Sequence, residues 1–311
     1  MAILIAAHFT PDEWAAWWPA LQAALPSETL LRERGNTPPD QIDIALVANP
    51  RGGELQGLPA LRLIQSLWAG VEGLLADTTV PTDVPLARMV DPVMNEAMAQ
   101  TALWAVLALH RGFFSYADQQ RAHEWRQRTQ WRADEFPVAV LGLGHMGRSV
   151  AQRLAGNGYP VRGWSARQAA IDGVVALAGE AALPYALAQA RAVVNLLPLT
   201  PATHGFFNAQ RFAQMERGAA LVNLARGAHV VEADLLAALD SGRLSRAVLD
   251  VFDSEPLPTG HAFWAHPRIT VLPHVAALTD ARSAAQVVAR NVRALRHGGE
   301  LENRVDRSRG Y

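Results

Sequence analysis

The chain has 311 residues, half of them apolar, and 28 basic against 29 acidic side chains give a net charge of −1. Length predicts about two domains with real cores, and the even charge excludes the basic footprint that binding a phosphate backbone needs. There is no cysteine and no lysine, so thiolate metal sites, cysteine nucleophiles, Schiff-base catalysis and the lysine-bearing Walker A loop are all excluded. Along the chain, Ile3–Ala7 reads as a short buried strand, and Asp12 as the N-cap of a helix through Leu25 carrying Trp14, Trp17, Trp18 and Leu21 at helical spacing. Ile42–Ala48 and Leu61–Leu67 are further strands, followed by a long helix over Met94–His110. From Arg111 to Pro137 the chain turns polar and arginine-rich, a connecting segment in which Trp125 and Trp131 suggest a surface facing a partner subunit.

A second alternating series starts at Val138 with the strand "VAVLGLG" and a helix over Met146–Asn157. Val161–Trp164, Ala192–Pro198, Ala219–Ala225, Ala247–Phe252 and Ile269–Pro273 read as strands, with helices at Asn208–Met215 and Glu232–Leu239 between them and a last helix over Asp280–His297. Strands alternating with helices predict open parallel sheets.

"GLGHMG" sets Gly142, Gly144 and Gly147 after an apolar strand and at a helix start. The first glycine permits the tight turn, the second lets the backbone approach a pyrophosphate, and the third lets helix pack on strand, so a dinucleotide is expected at the helix N-terminus. An acidic residue about 20 positions later would bind a ribose 2′-hydroxyl. The chain has Ser165 and Arg167 there instead, with Arg162 upstream, which suits a 2′-phosphate and favours NADP over NAD.

Arg226, Glu255 and His274 each follow a strand of the second series, where ligands of open α/β sheets bind. Together they suit hydride transfer to a 2-keto acid. Arginine offers a permanent planar cation for the carboxylate, histidine a proton for the developing alkoxide, and glutamate a charge that favours the protonated imidazole.

"NLARG", "LDVFDSEP" and "LPHVA", in that order behind "GLGHMG", resemble the D-2-hydroxyacid dehydrogenase family over essentially the whole chain. The resemblance implies two Rossmann/flavodoxin-like doubly wound parallel-sheet domains with an interdomain cleft. Residues 1–99 plus 276–311 would form the substrate-binding domain and residues 100–275 the NADP-binding domain. It implies Arg226, Glu255 and His274 as the catalytic set, and a carboxylate-binding loop at "WAGVE", with Trp68, Ala69 and Gly70 in contact with substrate. For the cofactor it implies His145, Met146 and Arg148 beside the three glycines, Ser165 and Arg167 at the ribose, and Leu197, Pro198, Thr203, Ala225 and Asp250 along later strand ends. "WAGV", "PHVAALT" and the terminal "VDRSRGY" are most similar to a branch that reduces glyoxylate and hydroxypyruvate with NADPH.

The expected activity is therefore NADPH-dependent reduction of small 2-keto acids, glyoxylate to glycolate and hydroxypyruvate to D-glycerate, with His274 as general acid. The alternative is a non-catalytic, corepressor-like nucleotide sensor on the same fold. "GLGHMG" also occurs in β-hydroxyacid dehydrogenases, but those need a catalytic lysine. A formate dehydrogenase-like enzyme would pair its histidine with an amide, where this chain has Glu255. Trp68, Met94, Trp264 and a partner's Trp125 are candidates to shape the substrate pocket. No metal, nucleic-acid or membrane partner is expected. The family pattern implies a homodimer built on Met94–His110 and the segment after it. With no spanning run and no basic start to the N-terminus, a cytoplasmic setting is expected.

Overall fold

The computed structural model describes residues 1–310. The chain divides into two compact units, one formed by Met1–Met94 with the chain from Thr279 on, the other by Asn95–Leu278. In chain order the first elements are β1 (Ala2–Ala7), α1 (Pro11–Ala24), β2 (Thr29–Leu31), β3 (Ile42–Ala48), β4 (Leu63–Ser66), α2 (Glu72–Ala76), β5 (Leu86–Ala87) and α3 (Pro92–His110). Next come α4 (Phe113–Arg121), β6 (Val138–Leu141), α5 (His145–Gly156), β7 (Val161–Ser165), β8 (Val174–Ala178), α6 (Leu183–Ala188), β9 (Ala192–Asn195) and α7 (Ala209–Gln214). The chain ends with β10 (Ala219–Asn223), α8 (Glu232–Asp240), β11 (Leu244–Leu249), α9 (Ala262–Ala265), β12 (Ile269–Val271) and α10 (Ala281–His297). No helix among the described residues is long and apolar enough to cross a membrane.

The first unit holds a five-stranded sheet in the order β2-β1-β3-β4-β5, all neighbours parallel. Helix α1 starts at Thr10 rather than Asp12. The Thr10 side chain accepts from the Glu13 N–H while Glu13 reaches back to the Thr10 N–H, a reciprocal cap worth about 1 kcal/mol that puts Asp12 inside the first turn. Helix α10 is tied to β3 by Arg296, which bonds the fully buried Asp43 and also Glu28 at 2.7–2.9 Å. Those two carboxylates hold the guanidinium protonated well above its ordinary range.

The second unit holds a seven-stranded parallel sheet, β12-β11-β10-β9-β6-β7-β8. Alternate residues serve opposite faces. Ala139, Leu141, Val193 and Leu221 join one core with α6, α7 and α8, while Val138, Val140, Val194 and Val222 join another with α3 and α5. Both faces are thus covered, as a doubly wound parallel sheet requires. Chain order reverses between β6 and β9, which opens the crevice where such sheets bind ligands.

Several strands end earlier than the apolar runs suggest. β9 stops at Asn195, β10 at Asn223, β11 at Leu249 and β12 at Val271. The residues beyond are still buried, Leu197, Leu224, Val251 and Phe252 each under 10% exposed, so hydrophobicity does not mark where pairing stops. β11 also begins earlier, at Leu244, because Arg246 breaks the apolar pattern. Arg246 is half-buried against Asp118 and the Phe114 ring. The polar segment after α3 is not all connection, since α4 lies within it.

Candidate active site

In the order in which the strands lie, β7, β6, β9, β10, β11 and β12 lead at their carboxyl ends to Ser165 and Arg167, Gly142–Gly147, Leu197 and Pro198, Ala225 and Arg226, Asp250 and Glu255, and His274. One edge of one sheet therefore carries the glycine loop and all three ionisable candidates.

The glycine loop follows β6. Gly142 has φ 94°, and a Cβ there would stand 2.4 Å from the Leu196 carbonyl oxygen. At Gly147 a Cβ would meet the Gly142 oxygen at 1.7 Å, so helix and strand approach as only glycine allows. Gly144 caps α5, is exposed, and has nothing within 4 Å of its Cβ position. That open, side-chain-free face at the start of a twelve-residue helix is a cradle that fits a pyrophosphate. His145 is exposed and Met146 half-buried beside it.

Past β7, the Ser165 hydroxyl donates to the Arg167 carbonyl at 2.6 Å, fixing the turn, and the Arg167 side chain is exposed with no ion pair among the described residues. Arg162 is committed elsewhere. Its guanidinium donates to Gln189 at 2.6 Å and lies over the Tyr185 ring. Arg148 reaches the same loop as Arg167 and donates to the Ala170 carbonyl at 2.6 Å.

The catalytic candidates are joined by a continuous series of contacts. Gly227, next to Arg226, packs so closely on the Phe252–Asp253 backbone that a Cβ would stand 1.8 Å from the Phe252 carbonyl carbon. The Phe252 N–H donates to Glu255 Oε1 at 2.9 Å, and Glu255 Oε2 meets His274 Nδ1 at 2.7 Å. The His274 N–H donates to the Asp250 carbonyl at 2.9 Å. Arg226 itself is half-buried, its Nη1 donating to the Ala225 carbonyl at 2.6 Å.

His274 has φ 55°, a left-handed conformation that costs a non-glycine residue about 1 kcal/mol or more. Asp250 holds it there. Its two carboxylate oxygens accept from the N–H groups of Val275 and Ala276 at 2.8 and 3.0 Å. Asp250 is 1% exposed, and burial pushes its carboxyl above the ordinary value despite those two donors and the nearby His274. Asp250, expected against the cofactor, thus uses both oxygens on the His274 turn. The Thr203 hydroxyl likewise donates to the Pro198 carbonyl at 2.7 Å.

Three other histidines show what sets His274 apart. His261 and His266 each present Nε2 to a carboxylate, at 3.1 and 3.3 Å, while Nδ1 accepts a backbone N–H. His110 is engaged through Nδ1 by Tyr159 and through Nε2 by the Trp131 carbonyl. His274 turns Nδ1 to the carboxylate, and its Nε2 has no partner among the described residues.

In the first unit, a pocket of about 210 Å³ is lined by Asn49, Ser66, Trp68, Gly70 and Asp77 among others. The Trp68 ring is held edge-on by Trp17 and Phe9, and the Trp68 N–H donates to Ser66 Oγ at 3.1 Å. Of the other aromatic and sulfur candidates, Met94 is buried and accepts from the Thr279 hydroxyl. Trp264 and Trp125 are 52% and 97% exposed. The sequence reading missed Asn195, Asn223 and His229, all fully buried among the strand ends. Two asparagines closing adjacent apolar strands were the available signal.

This chain belongs to the D-isomer specific 2-hydroxyacid dehydrogenase family, whose NAD-binding domain model matches residues 103–276, and it is an oxidoreductase of that class. It is 39% identical over 301 residues to glyoxylate/hydroxypyruvate reductase A of Yersinia enterocolitica, covering 95% of this chain and 96% of that protein. It is 41% identical over 309 residues to the protein of the same name from Serratia proteamaculans, with 97% of each covered. A D-isomer specific 2-hydroxyacid dehydrogenase of Xanthobacter autotrophicus, solved with NADPH and MES, superposes with a TM-score of 0.95 at 40% identity, covering 100% of this chain and 99% of that one. The NADPH-dependent glyoxylate/hydroxypyruvate reductase of Sinorhizobium meliloti, solved with NADP and sulfate, gives 0.93 at 34% identity with the same coverage.

Proposed function

We propose that the protein reduces small 2-keto acids with NADPH, glyoxylate to glycolate and hydroxypyruvate to D-glycerate. The observation that carries this reading is the His274 ring, oriented by Glu255 through Nδ1 and open at Nε2, on the sheet edge that also holds the glycine cradle. NADPH, when bound, supplies the hydride that the keto carbon accepts. Gly142, Gly144 and the α5 N-terminus, with His145, Met146 and Gly147, are assigned to its pyrophosphate. Ser165 and Arg167, with Arg148 behind them, are assigned to the 2′-phosphate, and Leu197, Pro198, Thr203, Ala225 and Asp250 line the same edge. The relatives solved with NADP(H) support that choice of cofactor.

His274 Nε2 donates its proton to the keto oxygen as the alkoxide forms, and Glu255 stabilises the imidazolium that this requires. Arg226 binds the substrate carboxylate through its planar fork. In the first unit, Trp68, Ala69 and Gly70 are assigned to substrate binding, through backbone N–H groups and the indole wall. The two units thereby divide into substrate-binding and cofactor-binding domains. We take the enzyme to be a cytoplasmic homodimer. Trp104, Phe113, Trp125 and Trp131, each more than 40% exposed, support a partner on the face formed by α3, α4 and the segment after them.

The test is the fall in absorbance at 340 nm when the protein meets NADPH with glyoxylate or hydroxypyruvate. Binding of NADPH without its oxidation by any keto acid would replace this reading with a nucleotide sensor.

A further inference from the structure

The register across the middle of the second sheet aligns Trp164, Leu141, Asn195, Asn223, Leu249 and Val271. Two amides therefore stand side by side in a row that is otherwise apolar, at the last paired position of β9 and β10. Neither is exposed at all, and neither is His229, which follows Arg226 by three residues.

Their hydrogen bonds run in one direction. Asn195 Nδ2 donates to Asn223 Oδ1 at 2.9 Å and to His229 Nδ1 at 3.0 Å, which uses both of its protons. Because Asn195 Nδ2 can only donate, His229 Nδ1 must accept, so the ring proton sits on Nε2. That proton points to the Pro198 carbonyl at 3.3 Å. At the other end Asn223 Nδ2 donates to the Arg226 carbonyl at 2.9 Å. The two carbonyl-type oxygens of the asparagines accept from Leu197 and Ala225 N–H groups at 3.2 and 3.3 Å. The cluster thus links the turn after β9 to the turn after β10, touching the backbone of Leu197, Pro198, Ala225 and Arg226. An apolar pair would fill the same space and leave those turns without a fixed relative position.

We propose that Asn195, Asn223 and His229 form a positioning relay that fixes the Arg226 turn against the Leu197–Pro198 turn, and so sets where the Arg226 guanidinium stands for a substrate carboxylate. This rests on the role assigned to Arg226 above. The three residues touch neither substrate nor cofactor and act through Arg226.

The test uses the full-length protein loaded with NADP and measures the binding of oxalate, a dicarboxylate without a reducible carbonyl, by calorimetry. Asn223→Leu should weaken oxalate at least tenfold. In an Arg226→Ala background the same Asn223→Leu change should have no further effect, because the residue through which it acts is gone. His229→Gln, which retains a distal N–H for the Pro198 carbonyl, should keep oxalate affinity within threefold, and His229→Leu should lose at least tenfold. Equal losses with and without Arg226 would overturn the relay. So would wild-type oxalate binding in a folded Asn223→Leu protein, or no oxalate binding by the wild type. If Asn223→Leu fails to fold, the His229 pair decides: equal behaviour of Gln and Leu overturns the proposal. A wild type that shows the coupling but oxidises NADPH with no keto acid would overturn the function proposed above and leave the relay standing.

Discussion

His229 and His274 stand beyond strands of the same sheet and use their rings in opposite ways. His229 is fully buried, with Nδ1 accepting from Asn195 and Nε2 directed to the Pro198 carbonyl. The His274 side chain is 53% exposed, with Nδ1 on Glu255 and Nε2 open. A ring whose two nitrogens are both bonded inside the protein can hold turns together, but it cannot pass a proton to a ligand. A ring anchored through one nitrogen keeps its direction and leaves the other for chemistry. Engagement, more than residue type, separates the framework of this edge from the groups proposed to act there.

The sharpest way to break that contrast is to remove the open ring. His274→Ala should lower kcat/KM for glyoxylate by about 10²–10⁴, the usual worth of a positioned general acid, at every pH. Unchanged turnover would show that another group or water supplies the proton. Arg226→Lys comes next. It keeps the charge but loses the planar fork, and should cost about 1.5–3 kcal/mol of transition-state binding, read as kcat/KM. Near-normal kinetics would remove Arg226 from the carboxylate.

The arginines beyond β7 repeat the contrast. Arg162 is tied to Gln189 and the Tyr185 ring, whereas Arg167 is exposed beside Ser165. Arg167→Ala should therefore weaken NADPH by about 1.5 kcal/mol, close to tenfold, and leave NADH nearly unchanged. Arg162→Ala should not change the preference between the two. Titration of each variant with both cofactors checks this, and equal losses for NADPH and NADH in Arg167→Ala would take the 2′-phosphate away from that residue.

Much of the contrast was legible in the sequence. The glycine spacing, the order of Arg226, Glu255 and His274, and the doubly wound parallel sheets follow from apolar runs that alternate with helices and from residue types with few other uses at such positions. The engaged partners were harder to see. Asn195 and Asn223 end apolar runs that continue into buried turns, so the pattern reads as longer strands and the amides as ordinary members. β2 and β5 have three and two residues, too few to show a period, and β8 is a mostly half-buried edge strand without apolar–polar alternation. Helix α4 was hidden by the polarity of its surface. Which nitrogen of a histidine is occupied depends on groups distant in the chain, and no local pattern encodes that.

Asp250 supplies the finest test, because it is an engaged group that holds an open one. Its carboxylate binds the N–H groups of Val275 and Ala276 and so keeps His274 at φ 55°. Burial is the largest influence on its carboxyl and pushes it up, so the group takes a proton at a higher pH than an exposed aspartate near 3.9. Once protonated, it can offer both N–H groups full acceptors no longer, and the histidine turn loosens. Catalysis should therefore fall on the acid side as pH drops through the raised pKa of Asp250. Stability should move the opposite way. A carboxyl whose pKa is raised in the folded state favours the fold when protonated, so its contribution is present at low pH and is lost as pH rises through the folded value. Asp250→Asn keeps one acceptor and cannot titrate. It should lower kcat/KM at neutral pH by roughly fivefold, the worth of about 1 kcal/mol, and flatten the acid limb. Profiles of kcat/KM against pH for the two proteins, with melting temperatures over the same range, measure both. An acid limb at the same pH in Asp250→Asn would show that another group sets it, and that the His274 turn keeps its geometry without the Asp250 charge.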